Sequence, residues 1–101
     1  MVAWEFLVAP HAREEFVRAY GPGGDWAALF TRAEGFIDVT LLEDHENEGR
    51  FVTLDRWVDE AAFRAVRGDA LLASAYDALD RVTAALTVEE RRLGAFDEAR
   101  P

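Results

Sequence analysis

The chain has no cysteine and no lysine, and it contains a single serine. Without cysteine it has no disulfide, no thiolate metal ligand and no cysteine nucleophile. Without lysine it cannot form a Schiff base on a side-chain amine. Ser74 lies in a helical pattern without the glycine-flanked turn that serine hydrolases use, so hydrolysis through a serine nucleophile is not indicated.

Positive charge and long apolar runs are also scarce. The net charge is −9, and no cationic segment suited to nucleic acid is visible. No run of about 20 apolar residues predicts a membrane span. The opening residues, MVAWEFLVAP, lack the basic segment of a signal peptide and have the pattern of a strand. We therefore expect a cytoplasmic protein that binds neither nucleic acid nor membranes.

Histidine is limited to two residues, His11 and His45. His11 follows a proline at a predicted helix start, and His45 lies in the polar turn DHENEG. The two have no ligand spacing between them, so we expect both to be solvated and no metal to be bound.

Hydrophobic residues make up 50% of the 101 positions, which fits one compact domain over residues 1–101. The aromatic residues are three Trp, two Tyr and seven Phe, enough for a substantial core. A domain of this size still leaves much surface exposed, and dimerisation would bury more of it.

The hydrophobic pattern predicts the order β, α, α, β, β, α, followed by an ambiguous tail. Predicted strands cover residues 2–9, 36–44 and 50–58. Predicted helices begin at Pro10, Asp25, Asp59 and Asp69, and each of the three aspartates is expected to act as a cap. Residues 87–94 fit either a short helix with a capping box or an edge strand. The order predicts an α+β, ferredoxin-like fold, an antiparallel four-stranded sheet with helices on one face.

The last and longest predicted helix carries an apolar stripe at spacings of three and four residues. The stripe consists of Leu72, Ala75, Tyr76, Leu79, Val82 and Leu86. Tyr76 is therefore expected to face the sheet, with its hydroxyl at the rim of the core.

The third strand sends alternate side chains to the two faces of the sheet. The face towards the helices receives Phe51, Thr53, Asp55 and Trp57, and Trp4 and Phe6 of the first strand share it. Rings with a few polar groups between sheet and helices are typical of a small-molecule pocket. A buried Asp55 would have a raised pKa and could act as a general base. The alternative is a filled core in which Asp55 hydrogen-bonds a helix end or an arginine.

The opposite face of the sheet is expected to be largely aliphatic. It receives Val52, Leu54, Arg56 and Val58 from the third strand and Ala3, Leu7 and Ala9 from the first. An open apolar face is unstable in water, so we expect a second copy to cover it through a two-fold axis. Arg56 and Glu5 are candidates for an ion pair across or beside that interface.

The segments EFLVAP, EEFVRAYGPGGDWAALFTRAEGFIDVTLL and GRFVTLDRWVDEAAFRAV together resemble the antibiotic biosynthesis monooxygenase (ABM) family of the dimeric α/β-barrel superfamily. The resemblance covers residues 4–86, and its most specific part is the third strand that ends at Trp57 before DEAAF. It implies a homodimer whose sheets close into a barrel, with a cavity between each sheet and its helices. Better-known members oxygenate polycyclic anthrones without metal or flavin, so no cofactor is expected. Other members oxidise quinols or degrade haem.

Haem-degrading members use an asparagine on the first strand, a tryptophan ending the third and a histidine on the long helix. Trp57 matches the tryptophan, but Phe6 or Glu5 stands in place of the asparagine and Tyr76 stands near the histidine position. The resemblance therefore disfavours haem degradation. Cofactor-free oxygenases of the family use Trp, Tyr, Asn and Arg around a phenolic substrate, and here Trp57 and Tyr76 remain, while the only asparagine, Asn47, lies in the polar turn.

Three functions follow as hypotheses. The first is a cofactor-independent monooxygenase acting on an aromatic, enolisable or phenolic small molecule. In it Asp55 and Tyr76 are the catalytic residues, and the substrate-binding residues are Trp57, Phe51, Thr53, Trp4 and Phe6. The second is an isomerase or cyclase that uses the same base and consumes no oxygen. The third is a non-catalytic homodimer that binds a small ligand or serves as an accessory protein.

Overall fold

The computed structural model describes all 101 residues as an antiparallel four-stranded sheet with four α-helices. The strands are β1 (Val2–Leu7), β2 (Phe36–Glu43), β3 (Arg50–Trp57) and β4 (Glu89–Ala95). The helices are α1 (Arg13–Tyr20), α2 (Asp25–Thr31), α3 (Glu60–Gly68) and α4 (Ala70–Thr83), and short 3₁₀ turns span Pro10–Ala12 and Ala84–Leu86. The sheet order is β2-β3-β1-β4, with every neighbouring pair antiparallel. The predicted ferredoxin-like α+β fold is therefore confirmed.

Side chains from all four helices pack with one face of the sheet into a single buried cluster. The strand residues in this cluster include Phe6, Phe51 and Trp57, and α1 contributes Phe16, which is fully buried. None of the helices combines the length and the apolar character needed to cross a membrane.

The ambiguous tail is a strand. The Val88 N–H donates to the Leu7 carbonyl at 2.7 Å, and β4 then pairs with β1 along its length. The Thr87 hydroxyl donates back to the Ala84 carbonyl, so it does not form the capping box. β1 ends at Leu7, short of the predicted Ala9, because the chain then turns through Pro10–Ala12.

Two of the three expected helix caps are confirmed. The Asp59 carboxylate accepts from the Ala62 N–H at the start of α3, and the Asp69 carboxylate accepts from two N–H groups at the start of α4. The expectation for Asp25 is wrong, because Gly24 occupies the cap position and Asp25 is already the first helical residue. Its carboxylate therefore makes no capping hydrogen bond to the N–H groups of the first turn.

The predicted stripe of α4 is wrong at Val82, whose side chain is 74% exposed. The buried position of that turn is Thr83, four residues after Leu79, and it is 2% exposed. The Thr83 hydroxyl can be buried because it donates to the Leu79 carbonyl at 2.9 Å. A polar residue with an internal hydrogen bond thus replaces the apolar residue that hydrophobicity alone favours.

The expected division of β3 between two faces is confirmed. Its four inward side chains are buried, and on the outer face Val52 and Leu54 remain half-buried. The expected Arg56–Glu5 pair does not form within the chain. Arg56 instead pairs with Asp38, which faces it directly across the β2–β3 ladder, and Glu5 pairs with Arg50 at 2.7 Å.

Candidate active site

A cavity lies between the inner face of the sheet and helices α1, α2 and α4. Its volume is about 40 Å³, counted as the space that the centre of a water molecule can occupy. A single water needs roughly 10–15 Å³ by this measure, so the cavity holds a few waters as it stands. Its aromatic walls are Trp4, Phe6, Tyr20, Trp26, Phe30 and Tyr76. An aromatic ligand therefore has to displace some of these side chains when it enters.

The periodicities of strand and helix bring the lining residues together. On the sheet, Trp4 of β1 lies opposite Thr53 of β3, and both point to the helical side. On α4, Tyr76 and Asp80 are four residues apart and therefore share one face of the helix. Alternation in the strands and a four-residue spacing in the helix thus converge on the same cavity.

Asp55 is the most unusual residue of the lining. It is 6% exposed, and it accepts no hydrogen bond and forms no ion pair within the chain. Its neighbours across the sheet are Val2 and Val39, which offer no polar side-chain group. Burial raises the pKa of the Asp55 carboxyl to about 7, from an ordinary value of 3.8. Asp55 therefore exchanges its proton near neutral pH, as a general base requires.

Tyr76 lies across the cavity on α4. Its ring makes an edge-on contact with Trp26 at a centroid distance of 4.8 Å. The guanidinium of Arg67 lies over the ring, 4.2 Å from the centroid. Burial raises the pKa of the Tyr76 hydroxyl, and the positive charge of Arg67 partly offsets that effect. Tyr76 therefore remains a protonated hydrogen-bond donor at neutral pH.

Trp26 is a lining residue that sequence reasoning missed as part of the site. Its side chain is 8% exposed, and its indole Nε1 is buried without a hydrogen-bond partner. In the sequence DWAALF it has only the pattern of a core residue, so no signal pointed to this role. A buried donor without a partner is rare in proteins. Burial raises the pKa of the neighbouring Tyr20 hydroxyl, and the Trp26 indole partly offsets this effect, so the two groups lie close together.

Five of the seven predicted site residues line the cavity. They are Asp55, Tyr76, Thr53, Trp4 and Phe6. The other two lie outside it. Phe51 is 1% exposed and packs against Phe16 at 4.9 Å between ring centroids. Trp57 is packed among Phe30, Phe36 and Phe63 and borders a separate surface cleft beside the start of α3. Contact of these two residues with substrate stays a prediction.

The rim of the cavity is acidic. Asp80 of α4 and Glu90 of β4 line it, and both side chains are exposed. Partial burial raises the pKa of the Glu90 carboxyl, and repulsion from Asp80 raises it further. No arginine or histidine lines the cavity.

The chain belongs to the antibiotic biosynthesis monooxygenase family, whose model matches residues 1–76. The matched part contains Asp55, Thr53 and Tyr76, and it ends before Asp80 and β4. The family resemblance read from the sequence is thus confirmed.

Among solved structures the chain is similar to SnoaB, a cofactor-independent oxygenase from Streptomyces nogalater. The identity is 28%, the TM-score is 0.58, and the match covers 96% of this chain and 92% of SnoaB. A Nitrosomonas europaea protein assigned by name to the antibiotic biosynthesis monooxygenases is 16% identical, with a TM-score of 0.69. That match covers 93% of this chain and 86% of the other, and it bears on the fold alone. No curated protein matches the chain.

Proposed function

We propose that the chain is a monooxygenase that needs no cofactor and acts on an aromatic, enolisable or phenolic small molecule. The observation that carries the proposal is Asp55, a buried carboxylate without a partner in an aromatic cavity, with a pKa of about 7. Membership of the monooxygenase family and the similarity to a cofactor-independent oxygenase support it.

The reaction starts with proton transfer from an activated ring carbon to Asp55. For a ring methylene, the resulting carbanion transfers one electron to O₂, and the two radicals combine to form a carbon–oxygen bond. The peroxide takes the proton back from Asp55. Loss of the second C–H proton then breaks the O–O bond, which leaves a carbonyl group and one water. The methylene supplies all four electrons that O₂ accepts, so no external reductant is needed.

Two donors are available for the oxygen that the substrate already carries. That oxygen gains negative charge when the carbon loses its proton, and donors placed in a buried site stabilise such charge strongly. Trp26 and Tyr76 both belong to the lining, and their rings are in contact. We assign them the role of holding this oxygen.

The test is oxygen uptake with enolisable aromatic ketones such as anthrone and α-tetralone. We expect the wild type to consume one O₂ per carbonyl formed, and Asp55→Asn to lower kcat by about 10²-fold or more, as loss of a general base does. The matched control is Asp25→Asn, which removes an exposed carboxylate that makes no capping bond.

Three results would contradict the proposal in different ways. Full activity in Asp55→Asn would remove the role of Asp55. Conversion of substrate without oxygen uptake would indicate an isomerase or cyclase that uses the same base. Binding without any conversion would indicate a ligand-binding or accessory protein.

We also propose that two copies associate through the outer face of the sheet. Leu42, Val52 and Leu54 lie next to one another across β2 and β3, and Leu42 is 46% exposed. The ion pairs Arg56–Asp38 and Arg50–Glu5 flank this apolar centre. An apolar centre with a charged rim is the usual composition of a protein interface.

A further inference from the structure

The lining of the cavity carries acidic side chains and no basic one, although the Arg67 guanidinium lies over the ring of the lining residue Tyr76. The acidic side chains are Asp55, Asp80 and Glu90. The one ion pair of α4 joins Asp77, which is not part of the lining, to Arg67 of α3. Asp55 is an independent sign that the cavity takes a ligand, because it is 6% exposed, belongs to the lining and has no partner.

These charges discriminate between ligands by their sign. Interactions between charges are stronger in a partly desolvated aromatic site than in bulk water. Partial burial raises the pKa of the Glu90 carboxyl, and the negative charge of Asp80 adds to this effect. A cation placed between the two carboxylates relieves their repulsion, whereas a carboxylate or phosphate adds to it.

The aromatic walls favour the same kind of ligand. A cation is attracted to the face of a Trp or Tyr ring within about 6 Å. The chain already uses this contact on Tyr76, whose ring holds the Arg67 guanidinium at 4.2 Å. Six aromatic side chains with two carboxylates at the rim match the chemistry of an aromatic amine better than that of a neutral hydrocarbon.

The acids lie at two separate ends of the cavity. Asp55 on β3 faces Val2, whereas Glu90 on β4 faces Phe6, on the other side of β1. Four residues along a strand and two strand spacings separate their backbones, roughly 13 Å in one direction and roughly 10 Å in the other. A ligand can therefore react at Asp55 while a distant group contacts Glu90.

We infer that the substrate carries a positively charged amine, which Asp80 and Glu90 hold at the rim while its aromatic body extends towards Asp55. This inference rests on the proposed function only in treating the bound amine as a substrate. The binding of an aromatic amine at this cavity is tested without any turnover.

The experiment uses three naphthalenes that differ in one group: 2-(aminomethyl)naphthalene, 2-(hydroxymethyl)naphthalene and 2-naphthoate. Their dissociation constants are measured by calorimetry at pH 7.5 and about 0.15 M salt, which screens charges more than about 8 Å apart. We expect the amine to bind at least tenfold more tightly than the alcohol, and the carboxylate to bind most weakly. In Asp80→Asn/Glu90→Gln the advantage of the amine over the alcohol should fall below threefold.

The control is Asp25→Asn/Glu89→Gln, which removes the same number of negative charges away from the cavity. Glu89 is the neighbour of Glu90 on β4 and is exposed, but it is not part of the lining. The control should keep the tenfold advantage, because a general attraction of the acidic protein for cations is weak and distant. Circular dichroism confirms that each variant is folded.

The inference is overturned if the amine does not bind, if naphthoate binds as tightly as the amine, or if the rim double variant keeps the full advantage. It is supported if only the rim variant loses that advantage. Oxygen uptake separates this result from the proposed function. Tight amine binding with no uptake on an enolisable aromatic ketone that carries an aminomethyl group rejects the oxygenase and leaves the rim assignment standing.

Discussion

Asp55 lowers the stability of the folded chain whenever it is ionised, because its carboxylate is buried without a partner. Its folded pKa is about 7, above the ordinary value of 3.8. Between these two values the folded state keeps a proton that the unfolded state has released. The stability of the fold therefore falls as pH rises from about 4 to about 7 and stays low above that.

Asp55→Asn removes this penalty, so we expect it to stabilise the fold at high pH and to have little effect near pH 4. The difference in the free energy of unfolding above pH 7 should be on the order of 4 kcal/mol. Urea unfolding of both proteins at pH 4 and pH 8.5 measures it. A difference that does not change with pH would mean that Asp55 titrates normally in the folded state.

Wild-type activity should depend on the same proton. A general base acts in its ionised form, so kcat for an enolisable ketone should rise with pH through about 7. Oxygen uptake between pH 5 and pH 9 measures this profile. A profile that is flat across this range would exclude Asp55 as the group that removes the proton.

At the scale of a single element, α4 carries both Tyr76 and Asp80, and Asp69 holds its first turn. The Asp69 carboxylate accepts from the Leu71 and Leu72 N–H groups at 3.0 and 3.1 Å. Asp69→Ala should therefore lower the stability by about 1 kcal/mol, a fall of roughly 4–8 °C in Tm for a domain of this size. Calorimetry is the measurement.

Asp69→Asn is the matched variant, because an asparagine side chain caps a helix about as well as aspartate does. It should unfold close to the wild-type temperature. An equal loss of stability in both variants would indicate that the charge at this position matters more than the cap.

Element boundaries and faces differ in how far they could be predicted from the sequence. Alternation in β3 predicts which side chains face the helices, because a strand has a period of two and no other choice of face buries Phe51. The period of α4 fails at Val82, since Thr83 is buried through a hydrogen bond that hydrophobicity does not register. The tail stayed ambiguous because β4 is defined by its pairing with β1, which is distant in the chain.

The residues of the candidate site also differ in how far they could be predicted from the sequence. The inward direction of Asp55 follows from strand alternation, but its lack of a partner depends on Val2 and Val39, which arrive from two other strands. Trp26 joins Tyr76 only once α2 and α4 have packed together. Local patterns thus predict direction, whereas the chemistry of a buried group depends on which neighbours tertiary packing supplies.

For the whole molecule, the proposed dimer predicts that one charge on the outer face will separate the copies. Val52 lies beside Leu42 in the ladder between β2 and β3. Val52→Arg should elute as a monomer of 11.3 kDa, the mass of one chain, where the wild type elutes at twice that mass. Light scattering after gel filtration measures both, because an unpaired buried charge strongly disfavours association.

The control is Leu71→Arg, which places the same charge on α4 at a side chain that is 78% exposed. It should leave the dimer intact. A wild-type protein that is already monomeric would remove the proposed interface, and a monomer from Leu71→Arg would place the interface on the helices.

The family model ends at residue 76, which follows Asp55 in the sequence and precedes Asp80 and Glu90. Asp55 and the rings beside it lie within the matched residues 1–76, whereas Asp80 and Glu90 come from the 25 residues that follow (101 − 76). Under the two proposals, the group that reacts and the groups that select the substrate thus lie in consecutive stretches of the same chain. Substitutions after residue 76 are therefore the way to alter the proposed substrate choice while the sequence around Asp55 is kept.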